Sequence, residues 1–215
     1  ELVLRDLANK LISIPKNQIR KKTAAPVSMM TPGLITGLAE DEQLHLYRFL
    51  AELGKAGPFD ATKTGVARTW RLFPGTHRVE QYGIEKIVEA DFEKKWSNHV
   101  LGAGNGAGWK ILPTRVNGDL PAADIEQTAS VGRNVGLVHV FAGTKFEMQT
   151  TGNATFTLPK GMKAEAWLDG KSLGRANQFT VRVTVGKHRI VLRLDAKALP
   201  KVLRLESKDV AFLND

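Results

Sequence analysis

Residues Gly152–Gly174, "GNATFTLPKGMKAEAWLDGKSLG", and Phe179–Asp195, "FTVRVTVGKHRIVLRLD", decide the fold class. Successive side chains of an extended strand point to opposite sides. In "FTVRVTV", Phe179, Val181, Val183 and Val185 therefore share one face and Arg182 takes the other. In "HRIVLRLD" (His188–Asp195), Ile190, Leu192 and Leu194 share a face that Arg189 and Arg193 oppose. Asp169-Gly170 and Gly186-Lys187 supply tight turns between such runs. Alternation broken by D-G and G-K turns is the pattern of antiparallel hairpins.

Outward from this stretch the texture persists. "VARTWRLF" (Val66–Phe73), "GLVHVFA" (Gly136–Ala142), "KFEMQT" (Lys145–Thr150), "ATFTL" (Ala154–Leu158), "KAEAWL" (Lys163–Leu168) and "VLRLES" (Val202–Ser207) all read as strands. Short strands at regular spacing predict a mainly β protein, a jelly-roll-like β-sandwich over residues 66–215. "IEKIVEADFEKKW" (Ile84–Trp96) reads as one or two short helices. "GWKILPTRVNGDLP" (Gly108–Pro121) reads as extended chain with a turn at Asn117-Gly118. Before the sandwich lies a small hairpin-plus-helix region. Leu2–Leu7 and Leu11–Ile14 form the hairpin. Leu38, Leu46, Phe49, Leu50 and Leu53 share a helical face that begins at the acidic run Glu40–Glu42. Residues 57–65, rich in Gly, Pro and Thr, read as a linker and separate domains 1–56 and 66–215.

The 215 residues carry a net charge of +9 with a pI of about 9.8, and the excess falls almost wholly after residue 60. Arg182, Arg189, Arg193 and, opposing Leu203 and Leu205, Arg204 point to a basic outer face. Such a face is either a solvated surface or a site for an anionic polysaccharide or an acidic protein partner. Nucleic acid is disfavoured, because aromatic residues do not interleave with these cations. No run approaches the roughly 18 apolar residues of a membrane span. Residues 1–10 have neither the basic nor the apolar region of a signal peptide. The chain opens on Glu1 in the middle of a strand-like run, which suggests a larger parent chain.

Catalytic signals are weak. Gly102, Gly104 and Ala107 match G-x-G-x-x-A, but a strand does not precede them nor a helix follow, so they read as a loop. His45, His77, His99, His139 and His188 are scattered without i, i+4 pairing, and His139 and His188 fall in strands that could bring them together. The carboxylates of Glu85–Trp96 alternate with Lys, as on a solvated helix. Asn153-Ala154-Thr155 matches a glycosylation sequon, a pattern common by chance. No metal site is read. The chain has no Cys, which removes disulfides, thiolate sites and covalent haem attachment together.

Two resemblances add to this. "ISIPKNQIRKK" (Ile12–Lys22), "SMMTPGL" (Ser28–Leu34) and "LAEDEQLHLYRFLAEL" (Leu38–Leu53) resemble the C-terminal portion of the planctomycete-type haem-binding cytochrome c domain. The likeness covers residues 1–55. It implies that Met30, with Met29 beside it, is the axial haem ligand, a soft thioether that favours ferrous iron. The sequence departs from the pattern at Thr31, where the family has Pro, and lacks the Cys-x-x-Cys-His half. The cofactor expectation is thus no haem in this chain and haem c in the parent protein. The expected partners are the rest of the parent chain or a haem-bearing subunit, and the expected location is exported, periplasmic or cell-surface.

The second likeness covers about 60 residues and is carried by Gly152–Gly174 and Phe179–Asp195. "WLDGK" (Trp167–Lys171) followed by "VGKHRIVLRLD" (Val185–Asp195) resembles sugar-binding jelly rolls of the PA14 and glycosidase-accessory kind. It implies glycan contacts by Trp167, through stacking on a sugar face, and by Asp169 in the turn. The residues themselves leave a second reading open, in which Trp167 is core and Asp169 is chosen for turn geometry. Together these expectations describe a non-catalytic C-terminal portion of an exported multidomain c-type cytochrome, with the sandwich as an interaction or glycan-binding module. The alternative is a stand-alone carbohydrate-binding or adhesion module without haem.

Overall fold

The computed structural model describes residues 2–5, 11–23, 33, 35–60, 62, 64–94, 108–129 and 136–214. The chain divides into two units, Glu1–Ala51 and Glu52–Asp215.

In the first unit β1 (Leu2–Arg5) and β2 (Leu11–Ile14) pair antiparallel, as the alternation predicts. A 3-10 turn at Lys16–Gln18 follows. Helix α1 spans Glu40–Glu52 and starts with Glu40, Asp41 and Glu42, whose charges favour the positive end of the helix dipole. Glu42 accepts from the Ala39 backbone N–H at 2.8 Å, closing one otherwise open donor of the first turn. No α1 residue is buried, and Leu44, Tyr47 and Leu50 are each at least half exposed. Met30 lies outside the described residues.

The second unit is mainly β. Its strands are β3 (Thr69–Thr76), β4 (Lys110–Pro113), β5 (Leu120–Pro121), β6 (Leu137–Met148), β7 (Gly152–Thr157), β8 (Ala164–Leu168), β9 (Lys171–Ala176), β10 (Gln178–Val183), β11 (Gly186–Asp195), β12 (Val202–Leu203) and β13 (Ala211–Phe212). The main antiparallel sheet runs β4-β3-β6-β11-β8-β9, with β13 on the end of β6. The pairs β10-β7 and β12-β5 form two small sheets. The described residues also form the helices α2 (His77–Tyr82), α3 (Ile84–Glu89) and α4 (Ala122–Ala129).

The sandwich arises from the alternation read in the sequence. Ile190, Leu192 and Leu194 of β11 join Val140, Ala142 and Phe146 of β6 on one face of the main sheet. Ala154 and Phe156 of β7 with Phe179 and Val183 of β10 close over them. Phe146 and Phe156 meet with ring centroids 5.0 Å apart, tilted by 57°, joining the two layers. The other face of the main sheet is covered too. Phe73, Phe141, Trp167 and Val191 pack there against Val79 of α2, Ile87 and Val88 of α3, and Phe92. The second unit is therefore a sandwich with a helical layer on its second face, an arrangement the sequence did not suggest.

Three expectations need correction. The runs Gly136–Ala142 and Lys145–Thr150 are one twelve-residue strand, β6. Gly143 does not break it; it makes room for the Phe92 ring, which a Cβ at Gly143 would strike. The sequence pattern does not show helices α2 and α4, nor β9, which is polar along most of its length. The strand expected over Val66–Phe73 instead begins at Thr69 and runs to Thr76.

Candidate functional site

Backbone register places the charged residues. On the helix-covered face, one cross-strand row runs Trp167, Val191, Gly143, Arg71. The next runs Arg175, Glu165, Arg193, Phe141, Phe73. A third pairs Asp195 with His139. The apolar members lie beneath the helices. Arg175, Glu165, Arg193, His139 and Asp195 instead floor a groove of about 750 Å³. That volume is within the range of small-molecule sites, about 300–1,000 Å³.

Two loops wall the groove, and both contain the tripeptide Leu-Pro-Lys. In Leu158-Pro159-Lys160 the leucine is buried in the sandwich core; in Leu199-Pro200-Lys201 it packs against that core. Each proline fixes its φ, so each lysine leaves a restrained backbone. Lys163 adds a further cation, and Met162, Leu194 and Val202 give apolar lining. Five cations thus face two carboxylates. Arg193 binds Glu165 at 2.7 Å. Asp195 accepts from the Lys197 backbone N–H at 2.8 Å. The side chains of Lys160, Lys163, Arg175 and Lys201 have no hydrogen-bonding or ionic partner among the described residues. His139 is held through Nδ1 by Glu80 of α2.

Each residue expected at a site has a definite place. Trp167 is 8% exposed and packs beneath the helices, its ring centroid 6.4 Å from that of Phe141, so its faces are not presented for stacking. Asp169 occupies the β8–β9 turn with φ 48°, followed by Gly170 at φ 84°. Its carboxylate accepts from the Arg189 N–H at 2.9 Å and from His188 Nδ1 at 2.7 Å, which ties the turn to β11. Asp169 itself stays exposed at the turn, and both residues lie toward the opposite end of β8 from the groove.

The four arginines do not form one basic face. Arg182 is exposed on the small β7–β10 sheet. Arg189 turns under the helical layer, donating to the carbonyls of Glu89, at 3.0 Å, and Ala90 at the end of α3. Arg204 pairs with Asp119 at 3.2 Å and Glu206 at 3.5 Å. Only Arg193 reaches the groove. The physical reason is that the face opposite Ile190 and Leu192 is covered by helices rather than solvated. His139 and His188 do not meet either; in the β6–β11 ladder His139 is opposite Asp195 and His188 opposite Phe146. Of the groove cations the sequence singles out Arg193 alone; the repeated Leu-Pro-Lys is the signal that could mark Lys160 and Lys201, and none marks Lys163 or Arg175.

The residues of this chain do not fit a covalently attached haem, because it contains no Cys to form the thioether bonds. Among the described residues no group of three His, Cys, Asp or Glu side chains could hold a metal ion, and no helix is long and apolar enough to cross a membrane.

No family model matches the chain. No curated protein matches it either. Among solved structures it is similar to a β-glucuronidase of an uncultured Clostridium sp., at 13% identity and a TM-score of 0.39, over 60% of this chain and 22% of that one. It is also similar to a GH31 α-xylosidase of Xanthomonas citri, at 15% identity and a TM-score of 0.25, over 70% of this chain and 16% of that one. This chain thus spans less than a quarter of either neighbour, and likenesses so distant say nothing of its activity.

Proposed function

We propose that the second unit is a non-catalytic carbohydrate-binding module whose ligand site is the basic groove rather than the D-G hairpin. The observation that carries this is the groove itself: a concave site of sugar-binding size, with four cationic side chains that have no partner among the described residues. The four side chains are solvent-exposed, and like charges gathered around one concavity repel one another, so their grouping contributes nothing to folding stability. Retention of the full chain on a panel of insoluble polysaccharides tests the reading. The variant Lys160→Gln/Lys163→Gln/Arg175→Gln is expected to lose at least tenfold in retention, and Asp169→Asn to keep it. Absence of retention on every polysaccharide, or loss in Asp169→Asn alone, overturns it.

A second reading concerns the first unit. The uncovered apolar side chains of α1 favour a helix that packs against further polypeptide, as the tail of a haem-binding domain in an exported parent protein would. Met30 would be the axial ligand there, with the haem half supplied from outside this chain. The intact mass and visible spectrum of the protein from its source decide this. A larger species with a Soret band is the expected result. A colourless 23.6 kDa species overturns it and leaves a stand-alone module.

A further inference from the structure

The groove's composition narrows the ligand beyond saccharide in general, and the following rests on the module reading above. We propose that the groove takes an anionic glycan, one bearing carboxylate or sulfate groups, and that Arg175 and Arg193 on either side of Glu165 read its charge.

Three features of the lining point this way. No Trp, Tyr or Phe lines the groove, so the ring platform that holds neutral sugars by stacking is missing from its described residues. Its apolar surface comes instead from Pro159, Met162, Leu194, Pro200 and Val202, none of which has a π-face. The cations also differ in kind. Arginines stand on the sheet floor, where a planar guanidinium can meet a carboxylate or sulfate through two parallel N–H donors. Lysines stand on the walls, where a mobile point charge serves any anion along a chain.

Glu165 gives the row its selectivity. It lies between Arg175 and Arg193 in register and occupies Arg193 at 2.7 Å. A neutral sugar offers nothing to draw Arg193 from this pair. An anionic group near Arg175 can share both guanidinia, with Glu165 kept between them as the internal counter-charge. Arg193 and Glu165 are both partly covered, so their charges are screened less than those of the wall lysines.

The test uses the full chain in affinity electrophoresis and titration against polygalacturonate, dextran sulfate, unmodified dextran and duplex DNA. Binding to polygalacturonate or dextran sulfate is expected, and which of the two binds tighter separates carboxylate from sulfate recognition. That affinity should fall at least tenfold between about 50 and 300 mM salt, since counterions are displaced. It should also fall at least tenfold in Arg175→Gln, a fold-neutral change at an exposed, unpaired side chain. Unmodified dextran is expected not to bind. Equal, salt-insensitive binding of dextran overturns the charge selectivity and leaves the module reading intact. DNA binding as tight as that of the anionic glycans overturns it in favour of general polyanion attraction. Failure to bind any polysaccharide overturns both.

Discussion

Replacing Trp167 by Ala is expected to lower the unfolding free energy by about 3–5 kcal/mol, the usual cost of emptying a buried aromatic site. For a unit of this size that corresponds to a fall in Tm on the order of 10 °C. The ring is 8% exposed on the helix-covered face of the sheet. It packs in the cluster of Phe73, Phe141 and Val191 with Val79, Ile87 and Val88 of the helices, so its removal leaves a cavity that strands on one side and helices on the other cannot collapse to fill. Glycan affinity, measured well below the new Tm, should stay within about twofold, because the groove floor begins one cross-strand row away and draws no contact from the indole. Thermal unfolding together with the dextran sulfate titration separates the two roles. Retained stability with lost binding would return Trp167 to the sugar face.

Trp167 also shows why the sequence was only partly legible. Alternation in "AEAWL" fixes which residues share a face with Trp167, but says nothing of what covers that face. For β10 and β11 the pattern suffices, since Ile190, Leu192, Leu194, Phe179 and Val183 all enter one core. The opposite face was read as solvated because Arg189 and Arg193 lie on it. It carries α2, whose six residues are too few to show a helical period, and α3, which the sequence shows as a helix without showing that it packs on this face. Arginine misled for the same reason. Its long stem lets it lie in a covered layer while the guanidinium finds carbonyls, as Arg189 does at the end of α3. The D-G turn was legible, since two successive positive-φ residues demand that chemistry. The groove was not, because its members come from β6, β8, β9, β11 and two loops, and only register and loop packing bring them together.

Phe92 is the position where the helical layer depends most on one side chain, and Phe92→Ala is expected to cost about 3–5 kcal/mol. The ring fills the space above Gly143 in β6. It meets Trp109 at a centroid distance of 4.8 Å in an edge contact. The guanidinium carbon of Arg71 lies 5.4 Å from the ring centroid and that of Arg189 5.7 Å, so two cations of the covered face share one π-system. Removing the ring takes away apolar burial and leaves both guanidinia without their aromatic neighbour. Gly143→Ala attacks the same joint from the sheet, since the new methyl would strike the ring; overpacking of this kind costs about 1–3 kcal/mol. If the glycine is there for the ring and not for the backbone of β6, the two changes must couple. In the Phe92→Ala background the methyl enters empty space, and the double variant should be more stable than the sum of the single losses by about 1 kcal/mol or more. Urea unfolding of the four proteins closes the cycle. Strict additivity would mean that Gly143 serves the backbone of β6 alone, and that the helical layer is seated by Val79, Ile87 and Val88 without the Phe92 joint.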